Sequence, residues 1–209
     1  MKTQYRIISK FYNLIDVLYF NRRKYSPRQK ILDFIKEGKV RVLDICTGTA
    51  SNAILIADKK RNAEVVGIDL SRDMLRIAKE RIRKRNIRNI KTRVMDATRM
   101  DFKDHSFDIV LISLILHEID KNLVGKIINE AKRVLKPDGD IVIVEWEEPK
   151  HFFQRFMFGF IRLLEPKGFK EFIKLDLKEY FTVYGLKVKR MIHCDYSQVL
   201  KLGSGAYFL

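Results

Sequence analysis

The chain has 209 residues, 46% of them hydrophobic, and carries 42 Lys and Arg against 26 Asp and Glu for a net charge of +16. That length suits one domain with one sizeable core, and no run approaches the roughly 18 uncharged apolar residues of a membrane span. Two cysteines make no disulfide framework and the basic N-terminus lacks the apolar stretch of a secretory signal, so a reducing cytoplasm is the expected setting.

The first 36 residues read as helical. Ile7, Ile8, Phe11, Tyr12, Leu14, Ile15, Leu18 and Tyr19 recur at helical spacing, and Ser26-Pro27 opens a second helix with Pro in its first turn. From Val40 the pattern alternates strand and helix, as a parallel, doubly wound sheet does. Strands are expected at 40–45, 63–68, 90–94, 107–113 and 140–146. Helices are expected at 51–60, from an N-cap at Ser71 to Arg85, and at 121–135, with a turn at Lys136-Pro137-Asp138-Gly139 before the fifth strand. An aromatic helix at 152–164 and another at 169–184 precede strands near 186–194 and 197–202. Those two lie close enough to pair as an antiparallel hairpin at or near one sheet edge.

Ligands of open α/β sheets bind beyond the carboxyl ends of the strands, so the residues ending strands one to four carry the information. The first strand runs into a small-residue turn, Asp44-Ile45-Cys46-Thr47-Gly48-Thr49-Ala50. The second ends in Gly67-Ile68-Asp69-Leu70, where an acid is placed to accept hydrogen bonds from ribose hydroxyls. Asp96-Ala97 follows the third strand, and Ser113-Leu114 ends the fourth. The turn lacks the G-x-G-x-x-G ladder that grips a pyrophosphate, which argues against a dinucleotide.

The run 40–50 resembles motif I of the class I S-adenosylmethionine-dependent methyltransferases, D-x-G-x-G-x-G. Its wording is closest to the D-x-x-T-G-T-G variant of the ubiquinone/menaquinone-type C-methyltransferases and their small-molecule relatives. Cys46 replaces the first glycine and Ala50 the third, which is tolerable provided the turn does not demand positive φ there. The blocks FDIVLIS and Arg133-Val134-Leu135-Lys136-Pro137-Asp138-Gly139 stand in the family's register.

The resemblance implies a seven-stranded, mostly parallel Rossmann-like α/β fold with an antiparallel C-terminal strand and an N-terminal helical lid. It implies a lid at 1–36, a cofactor core at 37–146, a helical insertion at 147–168 near the acceptor mouth, and a C-terminal helix and hairpin at 169–209. It also implies S-adenosylmethionine as cofactor. Asp44, Cys46, Thr47, Gly48, Thr49 and Ala50 would form its turn and Asp69 with Leu70 its ribose end. Met74, Asp96 and Ala97 would sit at its adenine, Ser113 and Leu114 along its side, and Tyr12, in an F-Y-N run similar to the family's Y-D, would close over it. The alternative for Tyr12, a core aromatic on an amphipathic helix, is the favoured one.

Methyl transfer from a sulfonium is an in-line displacement, so alignment supplies most of the acceleration and a base is needed only where the acceptor must lose a proton. His117, four residues after Ser113 and beside Glu118, is the one candidate base, with a surface or capping histidine as its bland reading. Cys46 reads as a packing residue rather than a nucleophile. Four histidines and two cysteines show no ligand spacing, and no metal is expected.

The acceptor is the open question. Segments 1–25 and 151–164 mix aromatics with Arg and Lys, as basic amphipathic helices on anionic membrane surfaces do, and equally as an apolar lid does. They suggest an amphipathic or lipid-like small molecule such as a quinone precursor or phospholipid headgroup. The net charge keeps nucleic acid open as a partner, with RNA methylation the competing reading, although no Pro-Pro-aromatic or Pro-Cys run follows strand four. A cofactor-binding protein without activity is a third.

Overall fold

The structure is a computed structural model and describes residues 26–165 and 168–204. Tyr12 and most of the expected lid lie outside the described residues. The elements are α1 (Pro27–Leu32), β1 (Arg41–Ile45), α2 (Ser51–Lys59), β2 (Glu64–Asp69), α3 (Arg72–Lys84), β3 (Ile90–Val94), β4 (Phe107–Ser113), α4 (Lys121–Val134), β5 (Leu135–Trp146), α5 (Phe152–Leu164), α6 (Phe169–Phe172), α7 (Leu177–Thr182), β6 (Leu186–His193) and β7 (Ser197–Ser204). The seven strands lie in one sheet in the order β3-β2-β1-β4-β5-β7-β6. β1 to β5 pair in parallel, and β7 runs antiparallel between β5 and β6.

Both faces of the central strands are buried because side chains alternate along each strand, and both alternate sets are apolar. Leu43, Ile45, Val110, Ile112, Ile141 and Ile143 face α4 and α7 through Val124, Ile128, Ala131 and Phe181. Val42, Val65, Leu111, Val142 and Val144 face α1 to α3 through Ile31, Ile54, Ile56 and Ala78. The outer strands β3 and β6 are largely exposed and carry Lys91, Arg93, Lys187, Lys189 and Arg190, charges that discourage edge-to-edge pairing.

Two expectations are corrected. The segment 169–184 is two short helices rather than one. The Asp176 carboxylate accepts the Lys178 N–H at 2.8 Å and starts α7 afresh, and the break lets Phe172, Leu177 and Phe181 all reach the core. Lys136–Gly139 does not precede β5 as a free turn but sits inside it as an irregularity, between the pairs Phe107↔Leu135 and Ile109↔Asp140. A Cβ on Gly139 would stand 2.8 Å from the Asp108 carbonyl oxygen and 2.7 Å from Leu135, so the close approach requires glycine. Lys136 fastens the strand by an ion pair to Asp108 at 2.7 Å.

Candidate active site

The turn after β1 is tied to the end of β2. Thr47 N–H donates to the Ile68 carbonyl at 2.9 Å, and Gly48 N–H donates to Asp69 Oδ2 at 2.8 Å. Asp69 Oδ1 accepts the Ser71 N–H at 2.8 Å, and the Ser71 hydroxyl caps α3 by accepting the Met74 N–H. Thr47 crosses so near β2 that a Cβ on Gly67 would lie 2.9 Å from its side chain. Arg81 of α3 reaches back to the Thr49 carbonyl and hydroxyl at 3.0 and 2.6 Å and to Ser51 Oγ at 3.0 Å.

Cys46, Gly48 and Ala50 all have positive φ, at 54°, 55° and 61°. The proviso on the two replaced glycines therefore fails: the turn demands left-handed backbone at each, and Cys46 and Ala50 hold it under strain. Leu114, at the end of β4, has φ 54° as well. Left-handed backbone thus stands at the carboxyl ends of both β1 and β4. Burial pushes the Cys46 thiol up to about 12, which suits packing and not nucleophilic attack.

Ala50 cannot cap α2, and Asp44 supplies the acceptor instead. Its buried carboxylate takes the Thr47 hydroxyl at 2.5 Å and the Ala53 N–H. Burial raises Asp44 to about 7, opposed by those hydrogen bonds and helped by the nearby charge of Asp69. Leu70 stands exposed above the end of β2, with Met74 half-buried beside the same rim. Asp96 is exposed and held low by the backbone and side-chain hydrogen bonds of Thr98, while Ala97 is buried beside it. The loop beyond is anchored by Glu130, which accepts the Met100 N–H at 2.6 Å.

Ser113 and Leu114 line a cavity of about 30 Å³ together with Pro27, Arg28, Ile31, Asn52 and Val144. Arg28 escaped the sequence reading because it lies in an unremarkable six-residue helix. Burial, with Arg81 nearby, lowers it to about 10 while the charge of Asp44 opposes the shift, and it borders a space the size of one water. Its Nε donates to Asn52 Oδ1 at 3.3 Å.

His117 is not at an open mouth. Its side chain is 1% exposed, its Nδ1 is 2.7 Å from Glu145 Oε2, and Phe169 and Phe172 pack edge-on against the ring. Burial alone would lower its pKa, but the charge and hydrogen bond of Glu145, with Glu165, raise it to about 10. A cationic imidazole has no lone pair to offer a substrate proton, and this arrangement suits positioning. Glu145 is the organiser the motifs did not reveal. Fully buried, it also accepts the N–H groups of Ile115 and Leu116 at 3.2 and 2.8 Å and so shapes the loop after β4.

The chain is similar to known proteins in sequence and in fold. Residues 42–139 match the family model described as "Methyltransferase domain". A demethylmenaquinone methyltransferase of Geobacillus kaustophilus is 31% identical over 177 residues, 83% of this chain and 73% of that protein. The chain belongs to the class I S-adenosylmethionine-dependent methyltransferases of the menaquinone/ubiquinone type. The enzyme of the same name from Bacillus velezensis is 29% identical over 178 residues, 84% of this chain and 75% of that one. In fold, the chain superimposes on the crystal structure of a SAM-dependent methyltransferase from Aquifex aeolicus with a TM-score of 0.71 at 19% identity, covering 93% of this chain and 96% of that one.

This methyltransferase uses S-adenosylmethionine, which supplies an electrophilic methyl group on a sulfonium when bound. The residues present fit it chemically: a carboxylate ends β2, a small-residue turn presents backbone above β1, and a buried cation borders the cavity beside α2.

Proposed function

We propose that the acceptor is a small amphipathic aromatic molecule of the quinone-precursor class, approaching from the α5 side of the site. The observation that carries this is the outer face of α5. Phe152, Phe153, Phe156, Phe160 and Leu163 are exposed, from 51% to 88%, while Phe158 and Ile161 on the opposite side are buried with Trp146 and Phe169. Arg155 and Arg162 are both paired with Glu148, which leaves the aromatic stripe as that face's main feature. An apolar stripe of this kind suits contact with a prenylated ring or an anionic membrane surface holding it. The names of the relatives, demethylmenaquinone methyltransferases, support the quinone class. Among the described residues no helix is long and apolar enough to cross a membrane.

In the same reading Asp69 holds the ribose hydroxyls, with Leu70, Met74 and Ala97 around the adenine and Asp96 at its amino group. Arg28 and Asn52 take the carboxylate of the amino-acid end. Ser113 and Leu114 line the reacting region, with His117 fixing their loop through Glu145.

The test uses methyl-labelled cofactor with the protein and an extract of its own host, separated into lipid, RNA and protein fractions. Label is expected in the lipid fraction, in a quinone-type species by mass. Label in RNA alone would replace this reading by one built on the charge of +16.

A further inference from the structure

We propose that His117, Glu118 and Glu165 bind one divalent first-row transition ion of the Zn2+ type, which clamps the C-terminal end of α5 to the loop after β4. The His117 Nε2 stands 3.3 Å from Glu165 Oε2 and 3.7 Å from Glu118 Oε1, and one ligand atom from each residue lies within 4.8 Å of the other two. Ligands about 2.1 Å from a tetrahedral ion are themselves about 3.4 Å apart. The two separations from His117 therefore stand close to the spacing an ion imposes, and the two carboxylates lie within 4.8 Å of one another.

A second observation points independently to a ligand. His117 is buried and its Nε2 makes no hydrogen bond, although it is aimed between two carboxylates. Its other ring nitrogen is held by the buried carboxylate of Glu145 at 2.7 Å. A carboxylate on Nδ1 holds the ring with Nε2 outward, which is the outer-shell arrangement that orients metal-ligating histidines, and the ion takes the place of the Nε2 proton that the imidazolium carries without it. Charge argues the same way. Two carboxylates, Glu145 and Glu165, pair with one imidazole. Among the described residues that imidazole is the one cationic side chain paired with Glu145 or Glu165. A divalent ion offsets the excess in a site walled by Phe169 and Phe172. One imidazole and two carboxylates favour Zn2+, Co2+, Mn2+ or Fe2+ over Ca2+ or Mg2+. Glu118, 27% exposed against 9% for Glu165, marks the side from which the ion enters.

The sequence carried the opposite expectation because Glu145 and Glu165 reach His117 only through the fold. Three protein ligands leave a fourth place for water. The clamp would hold the segment beyond Trp146 against the core whatever the acceptor is, so its test is separate from that of methyl transfer.

The 209-residue chain is stripped with chelator and titrated with Co2+, read by visible absorption, and with Zn2+, read by competition and thermal melting. One equivalent is expected to bind, with a visible Co2+ band and a rise in Tm. Glu118→Gln and Glu165→Gln should each weaken binding at least tenfold, the scale on which even outer-shell partners act. His117→Gln should abolish the band; because that change strikes a buried ion pair and risks the fold, the two glutamate variants keep the proposal open to refutation. Absence of saturable Co2+ binding to the wild-type protein would overturn it and leave an ion-pair cluster. Equal binding by wild type and both glutamate variants would place the ion elsewhere and overturn it as well.

Discussion

On the proposed reading, the cofactor side and the acceptor side of this site are built in opposite ways. Around β1, β2 and β3 the functional groups lie at strand ends and in the turns that follow, and they are joined by backbone bonds such as Gly48 N–H to Asp69 and Ser71 N–H to Asp69. Around β4, β5 and α5 they come from three separated segments. Glu145 on β5 gathers the backbone of Ile115 and Leu116 and the ring of His117, and Glu165 closes from beyond α5. The first arrangement positions a ligand by local chain geometry. The second positions it by one buried carboxylate, and so depends on the whole domain being folded.

The largest expected effect falls on that carboxylate. Glu145→Ala leaves a buried imidazole and two N–H groups without their acceptor, and should cost about 3–5 kcal/mol in a urea melt. A loss under about 1 kcal/mol would remove Glu145 as the organiser of the acceptor side. Next comes Asp69→Ala, which should weaken binding of S-adenosylhomocysteine by about 1.5–3 kcal/mol in calorimetry, the scale of hydrogen bonds to a charged group. Unchanged affinity would detach Asp69 from the ligand and leave it a tie between two turns.

Asp44 sets a pH dependence on the cofactor side. Its carboxyl is raised by burial to about 7 from an ordinary value near 4, so between those values the folded state holds a proton that the unfolded chain has lost. Its contribution to stability therefore falls as pH rises from about 4 to 7 and stays low above. Asp44→Asn should flatten that part of a Tm-against-pH curve, and a curve parallel to wild type would contradict the assignment. The smallest effect is expected from Ala50→Gly. Relief of left-handed strain at φ 61° is largely offset by the greater freedom of glycine in the unfolded chain, for a net change under about 1 kcal/mol in thermal melting.

The same contrast explains what was legible from residues alone. The strands at 90–94 and 107–113 and the helix at 152–164 have the bounds their periodicity indicates. The family was legible because motif I, Asp69 and the block before Gly139 are contiguous strings in a fixed register. The break at Asp176 was missed because apolar spacing runs on across it, and the burial of Phe172 and Phe181 in one core is a tertiary fact. The positive φ of Cys46 and Ala50 was invisible because neither residue type advertises it. His117 was noticed, but its burial against Glu145 was not, since that partner is 28 residues away.

The decisive measurement is mass spectrometry of a prenylated, unmethylated naphthoquinol after incubation with the protein and S-adenosylmethionine. A product heavier by one methyl group, whose yield collapses when Phe152, Phe156 and Phe160 are replaced together by Ser while S-adenosylhomocysteine still binds, is the predicted result. No methylated quinol under conditions where host RNA gains the label would contradict the assignment of the acceptor side.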